Sequence, residues 1–258
     1  MKNIKKLVSI LLVAAMLTGI LPVHALDLRA AAAGSVASGS NIIHSTHINP
    51  EYAHLPHEIP DAPAIPLDAS GEGKTVATFE EAAAYLRSQM AARAPTITFH
   101  LTDYDYTSSD QVKADWNAIL DKAFAHTGDP KYGDYLDRHY GGCSMSGSMS
   151  GTTLTSTFTV EYYTTAAQEA EMDSAVDALI DDLETEHAIS SLSDYDKVHI
   201  IYDYICDNVV YDYDNLEDDT YNLKYTAYAA LINGTSVCQG YASLFYRLAL
   251  TLGVDARY

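Results

Sequence analysis

The sequence predicts an α+β protein: a small α/β unit over residues 75–187 followed by a helix-rich segment, 188–258. Three observations carry this expectation. Hydroxyl-bearing caps head amphipathic stripes near Thr78 and Thr165. The runs 96–101 and 153–163 are rich in β-branched and aromatic residues and alternate as strands do. After Cys238, apolar residues recur at helical spacing. With 258 residues, 48% of them hydrophobic, the chain has enough apolar material for one large or two small domains.

In chain order, Lys2, Lys5 and Lys6 precede the apolar run from Leu7 to Val23, and Val23-His24-Ala25 offers a small residue at the last position of a cleavage site with a tolerated one two places earlier. This is the pattern of a secretory signal peptide, residues 1–25, with the mature chain expected to begin at Leu26. The alternative is a retained anchor, since about seventeen mostly apolar residues lies near the lower limit for a span. Residues 26–74 show no periodicity, and Pro50 to Pro66 reads as a disordered or extended linker. His44-x-x-His47 and His54-x-x-His57 lie in it and leave open a zinc or copper site, against a solvated linker.

In the α/β unit, Thr78 and Glu81 have capping-box spacing, and Phe79, Ala82, Ala83, Leu86 and Met90 form one stripe. Val112, Trp116, Ile119 and Ala123 suggest a second helix. Thr165 with Gln168 opens a third, carrying Met172, Val176, Leu179, Ile180 and Leu183. Between the strand-like runs, Gly141 to Gly151 reads as a flexible loop containing Cys143. Cys206 sits near Val198, Ile201, Tyr202, Ile205 and Val209 and is expected to be a small buried hydrophobe. A Cys143–Cys206 disulfide is the alternative, although an odd number of cysteines leaves at least one thiol free.

The formal charge of −20 repels nucleic acid and anionic lipid, so neither is expected as a partner. The cluster Asp212, Asp214, Glu217, Asp218, Asp219 invites a calcium reading. An EF-hand loop needs glycine at its sixth position, where Glu217 stands, and Asp103, Asp105 and Asp110 fit no better. Solvated acidic loops are the expectation, and no metal or cofactor is implied.

The most informative stretch runs from Asn233 to Leu252. A small glycine-containing turn leads into Cys238, and Tyr241, Leu244, Phe245, Leu248, Ala249 and Leu252 then mark one helical face. Cys238 is placed in the first helical turn, where unpaired N–H groups and the dipole favour a thiolate. That preference, roughly 0.3–1 kcal/mol, is too small to ionise a thiol at neutral pH without a second partner. The competing reading is a buried, inert cysteine.

The run Tyr225 to Tyr258, with Ser-Val-Cys-Gln-Gly-Tyr-Ala at its centre, resembles the nucleophile region of the bacterial transglutaminase-like superfamily. Ser193 to Asp212 is similar to the helix preceding the core in secreted members from Gram-positive bacteria. The resemblance implies the N-terminal part of a papain-like core and a Cys-His-Asp triad in that chain order. Cys238 is then the nucleophile, with its own backbone N–H stabilising the oxyanion and Tyr228 or Asn233 as side-chain donors. Tyr228 also fits a core stripe with Tyr225, Ala229 and Ile232, ending before Gly234.

All ten histidines precede Cys238. The resemblance therefore implies that the histidine and aspartate lie beyond Tyr258, in a longer protein of which this sequence is part. The chain alone is expected to be inert and to leave Leu244, Phe245, Leu248 and Leu252 partly exposed. The preferred reading is an exported cysteine enzyme acting on peptide or protein amides, by transamidation or hydrolysis. The alternative is a non-catalytic extracellular binding or scaffold module, and a third reading makes residues 75–187 an adhesive or spacer domain. After signal cleavage no stable membrane association is expected, and oligomeric state is left open.

Overall fold

A computed structural model describes residues 42–61 and 73–258, all within one unit, Ser40–Tyr258. The expected signal peptide, 1–25, lies outside the described residues, as does much of the expected linker. Part of that linker is ordered structure: β1, Ile43–Ile48, pairs antiparallel with a strand formed by the expected Gly141–Gly151 loop. After β2, Lys74–Val76, helix α1, Phe79–Ala91, starts where Thr78 Oγ1 accepts the N–H of Glu81. The Glu81 carboxylate reaches back to the N–H of Ala77, one residue beyond the N-cap N–H that a strict capping box would use. β3, Thr96–Leu101, and α2, Ser109–Ala123, follow, the helix capped by Ser108.

A single turn, α3, Asp134–Asp137, leads into β4, Tyr140–Ser150, which forms a hairpin with β5, Thr153–Tyr162. The sheet order is β1-β4-β5-β3-β2, with only the β2–β3 pair parallel. β4 corrects the loop assignment of Gly141 to Gly151. After an irregularity between Tyr140 and Gly142 its residues alternate: Cys143, Met145, Gly147 and Met149 share one face, Ser144, Ser146 and Ser148 the other. The first set joins Ile97, Phe99, Leu101, Leu154, Phe158 and Val160 under α1 and α2.

Small residues on β4 are a packing requirement. Trp116 from α2 lies over the sheet, its indole N–H donating to Ser156 Oγ at 2.9 Å and its ring 6.2 Å from that of Phe158. A Cβ on Gly147 would stand 2.5 Å from Trp116 Cζ2 and 3.0 Å from Thr155 O. Gly147→Ala is therefore expected to destabilise the fold by about 1–3 kcal/mol through overpacking, read as a lower urea midpoint at unchanged slope.

The remaining elements are helical in the main. α4, Ala166–His187, opens with the full Thr165–Gln168 capping box, and α5, Asp194–Asn208, is capped by Ser193. β6, Val210–Tyr211, α6, Ala227–Leu231, β7, Thr235–Ser236, and α7, Cys238–Thr251, complete the order. Met172, Val176, Leu179 and Leu183 of α4 pack with Ile201 and Ile205 of α5 and with α6 around α7. Of the four residues expected to be partly exposed, Phe245 is, while Leu244, Leu248 and Leu252 are buried. α4 thus shares its core with the residues after 188, so packing does not divide at 187. Among the described residues no helix is long and apolar enough to cross a membrane.

Buried polar contacts set the helical layer against the sheet. Glu169 accepts from Arg93, Thr164 and Tyr135, while Arg247 donates to Asp173. His139, at the start of β4, hydrogen-bonds through Nδ1 to Tyr135 O and through Nε2 to the N–H of Ala227. Since Nε2 accepts from that N–H, the ring is neutral with its proton on Nδ1. Burial holds this imidazole down, to about 4.

In the unfolded chain the imidazole takes up a second proton, at Nε2, near pH 6.5, about where a free imidazole titrates. The contribution of His139 is then complete above that pH and is lost as pH falls towards 4, by about 3 kcal/mol at most. Asp137, whose carboxyl burial pushes up to about 6, acts in the opposite sense over much of that range. The expected result is therefore a difference: between these pH values wild type loses stability relative to His139→Gln. Parallel denaturation curves across this range would contradict it.

Candidate active site

β6 and β7 pair in parallel over two residues each, Val210 beside Thr235 and Tyr211 beside Ser236. Gly234 makes the preceding turn with φ +66°, and its carbonyl accepts the N–H of Val210 at 2.8 Å. One residue beyond β7, Val237 caps α7 without any side-chain hydrogen bond, and Cys238 is the first helical residue. In that turn, the N–H groups of Gly240 and Tyr241 reach Val237 O at 3.0 and 3.4 Å. Those of Cys238 and Gln239 have no acceptor within the helix and face an uncapped end. The end of α7 is therefore receptive to negative charge.

The body of α7 is buried while the Cys238 side chain is exposed, so a sequestered thiol is ruled out here. Gly240 permits this geometry: a Cβ there would stand 1.8 Å from Ser236 Oγ and 2.7 Å from Thr226 O. The turn before Cys238 is tied down by Lys224, whose carbonyl accepts from Val237 N–H at 3.1 Å and Ser236 Oγ at 2.7 Å.

Tyr225, which the sequence places in a core stripe with Tyr228, packs against the Tyr52 ring at 5.5 Å and the Lys224 ammonium at 5.1 Å. Burial raises its hydroxyl above the ordinary phenol range, with a further contribution from Asp219. Tyr211 lies close to Tyr213 and Tyr241, at ring distances of 4.9 and 6.3 Å.

The two suggested side-chain oxyanion donors are placed elsewhere. The Tyr228 hydroxyl donates to Glu171 Oε2 on α4 at 2.6 Å. Asn233 lies before β7, so the strand and Val237 separate it from Cys238. The Cys238 backbone N–H lies on the uncapped first turn of α7.

Five histidines have partners of their own. His126 pairs with Asp255 at 2.7 Å, His199 with Asp203 at 3.0 Å on the exposed side of α5, and His139 is bound as above. His57 contacts Glu161 at 3.2 Å and Tyr52 O at 2.8 Å, and His47 contacts Asn117 Oδ1 at 3.3 Å. Among the described residues no group of three or more His, Cys, Asp or Glu side chains is arranged to hold a metal ion.

The acidic stretch after β6 is organised internally: Asp212 is buried and accepts from the Asn215 side chain and N–H. Cys206 corrects the expectation of burial. Ile201, Ile205 and Val209 form the inward row of α5, whereas Tyr202 and Cys206 occupy the adjacent, exposed row. The Cys143–Cys206 disulfide does not form; both thiols are free.

Residues 182–258 match the family model of the transglutaminase-like superfamily. The match takes in the end of α4, all of α5 to α7, and Cys238 at the head of α7. No curated protein matches the chain.

The cysteines differ in a way that can be measured. Burial pushes the Cys143 thiol up to about 12, inside the sheet core. Brief treatment of the native protein with iodoacetamide is expected to label Cys206 and Cys238 and to spare Cys143 until denaturant is added. Peptide mass mapping that finds Cys143 modified in the native state, or Cys206 spared, would contradict the burial assignments.

Proposed function

We propose that this chain carries the nucleophile end of an exported cysteine enzyme of transglutaminase-like type, acting on peptide or protein amides through a thioester at Cys238. The observation that carries the reading is an exposed thiol on the uncapped first turn of a buried helix, within the segment matching the superfamily. Export is supported by the leader pattern of residues 1–25.

In the proposed reaction, Cys238 Sγ bonds to the amide carbon and the C–N bond breaks. The released nitrogen leaves as ammonia or an amine after taking a proton. An amine or water then attacks the thioester and the thiol is regenerated. The Cys238 N–H is suited to the developing oxyanion because it already points out of the helix end.

A general base is needed, and the histidines described above are bound elsewhere. We accordingly propose that residues 26–258 alone are catalytically silent and that the reaction needs an imidazole brought to Cys238 from further sequence. The second reading, a binding module, is favoured by that same engagement of the histidines and by the loss of Tyr228 to Glu171.

Ammonia release and amine incorporation with a glutamine-containing peptide test both readings. The expected outcome is no turnover for residues 26–258. A parent protein supplying an imidazole is expected to be active and to lose about 10³-fold or more on Cys238→Ala. Turnover by residues 26–258 that disappears with Cys238→Ala would show that a histidine already present completes the site. An active parent indifferent to Cys238→Ala would remove the enzyme reading.

A further inference from the structure

We propose that Lys224 is a positioning residue for Cys238: an internal cation that ties the acidic loop 212–219 to the turn presenting the thiol. The lysine is completely buried. Its ammonium donates to three main-chain carbonyls, Asn215 O at 2.8 Å, Leu216 O at 3.0 Å and Asp218 O at 2.8 Å. An ammonium has three N–H donors, so this set satisfies it fully, as a buried charge requires. The Tyr225 ring adds a π-face 5.1 Å from Nζ.

The same residue holds the other flank through its backbone. Lys224 O receives Val237 N–H and Ser236 Oγ–H, directly before Cys238, while Asp212 N–H bonds Ser236 O at 3.0 Å where the loop leaves β6. The next two residues are Tyr225, whose ring faces the ammonium, and Thr226, whose hydroxyl caps α6. Loop, tyrosine and helix cap thus all depend on where Lys224 sits. It occupies the centre that a bound cation would fill in a calcium loop, which gives the acidic stretch a physical role without a metal.

The inference uses the nucleophile reading for its consequence in turnover, but thiol reactivity reports on it directly. The measurement is the rate of Cys238 with dithiobis(nitrobenzoate) in a Cys206→Ser background, with and without Lys224→Ala. At neutral pH the variant is expected to react about two- to fivefold more slowly, the span over which an aligned helix N-terminus favours negative charge. At strongly alkaline pH, with the thiol ionised in both proteins, the rates should converge.

Propylammonium, which supplies three N–H donors to the vacated carbonyls, should restore the neutral-pH rate; tetramethylammonium, which supplies none, should not. If Lys224→Ala fails to fold, recovery of the fold in propylammonium and not in tetramethylammonium supports the assignment in the same way. An unchanged rate, equal slowing at both pH values, no restoration by propylammonium, or equal restoration by the two ions would each overturn the assignment. A parent protein without turnover would leave these thiol rates standing, so failure of the enzyme reading is distinguishable from failure of this one.

Discussion

Helix α7 must be buried along its body and open at its first residue, and much of the chain answers to that constraint. Hydrophobic burial is non-directional, so packing Leu244, Leu248 and Ala249 against α4, α5 and α6 does not by itself decide which end reaches solvent. The polar residues of α7 decide it. Arg247 is buried and finds its acceptor in Asp173, and Ser243 bonds the hydroxyl of Tyr258. An unpaired charge at either depth would be costly, so sliding or rotating the helix is penalised far more than by loss of apolar contact. At the front, two-residue strands stop the chain at Ser236, and Gly240 lets that turn close onto Ser236 and Thr226. Cys238 emerges where the pairing ends.

Much of this was legible because local physics dominates it. Thr78 and Thr165 open helices where their hydroxyls predict, and the stripes of Leu86, Trp116, Met172 and Leu248 are buried as their spacing requires. β4 was hidden by composition. Gly141-Gly-Cys-Ser-Met-Ser-Gly-Ser-Met-Ser150 looks like a flexible linker by residue type, yet from Gly142 it alternates with strand period, and Gly147 is the small residue that Trp116 needs beneath it. β1 was obscured similarly: Ile43-His-Ser-Thr-His-Ile48 is short and polar, and only its pairing with β4 reveals its role. The expectation for Cys206 failed by one helical row, a step of about 100° that apolar neighbours on both sides do not resolve.

Within the site, Cys238 was readable because a glycine turn, a lone thiol and an amphipathic stripe coincide in sequence. Its neighbours were not, because the segment before it is not one continuous helix. Residues 222–225 form a 3-10 turn and Thr226 restarts the chain as the cap of α6, so a stripe counted from Tyr225 to Ile232 crosses a break in register. Tyr225 therefore packs against Tyr52 and the Lys224 ammonium while Tyr228 turns to Glu171. Thr226 was the available signal, a hydroxyl three residues before Ala229. Lys224 carried no comparable mark, since a lysine beside five acidic residues reads as solvated charge until its three carbonyl partners are seen.

The sheet and the thiol-bearing helices are joined by contacts that an appended spacer would lack. His139, at the head of β4, supplies the acceptor for the N–H of Ala227, a group in the first turn of α6 with no partner inside that helix. Tyr52, from the 3-10 turn after β1, places its ring 5.5 Å from Tyr225 and 4.8 Å from Tyr163, and its hydroxyl reaches Arg138 O at 2.6 Å. Asn49, also buried, donates to Asp137 O and Tyr140 O. The segment around residues 49–57 thus runs across the strand ends and closes on Tyr225. Removing residues 75–187 would uncover the α6 N-terminus and one face of Tyr225 together, and would take away α4, the partner of α6. The α/β unit is therefore better understood as the support that fixes Tyr225 and α6, and through them the turn that carries the thiol, than as a separate adhesive domain.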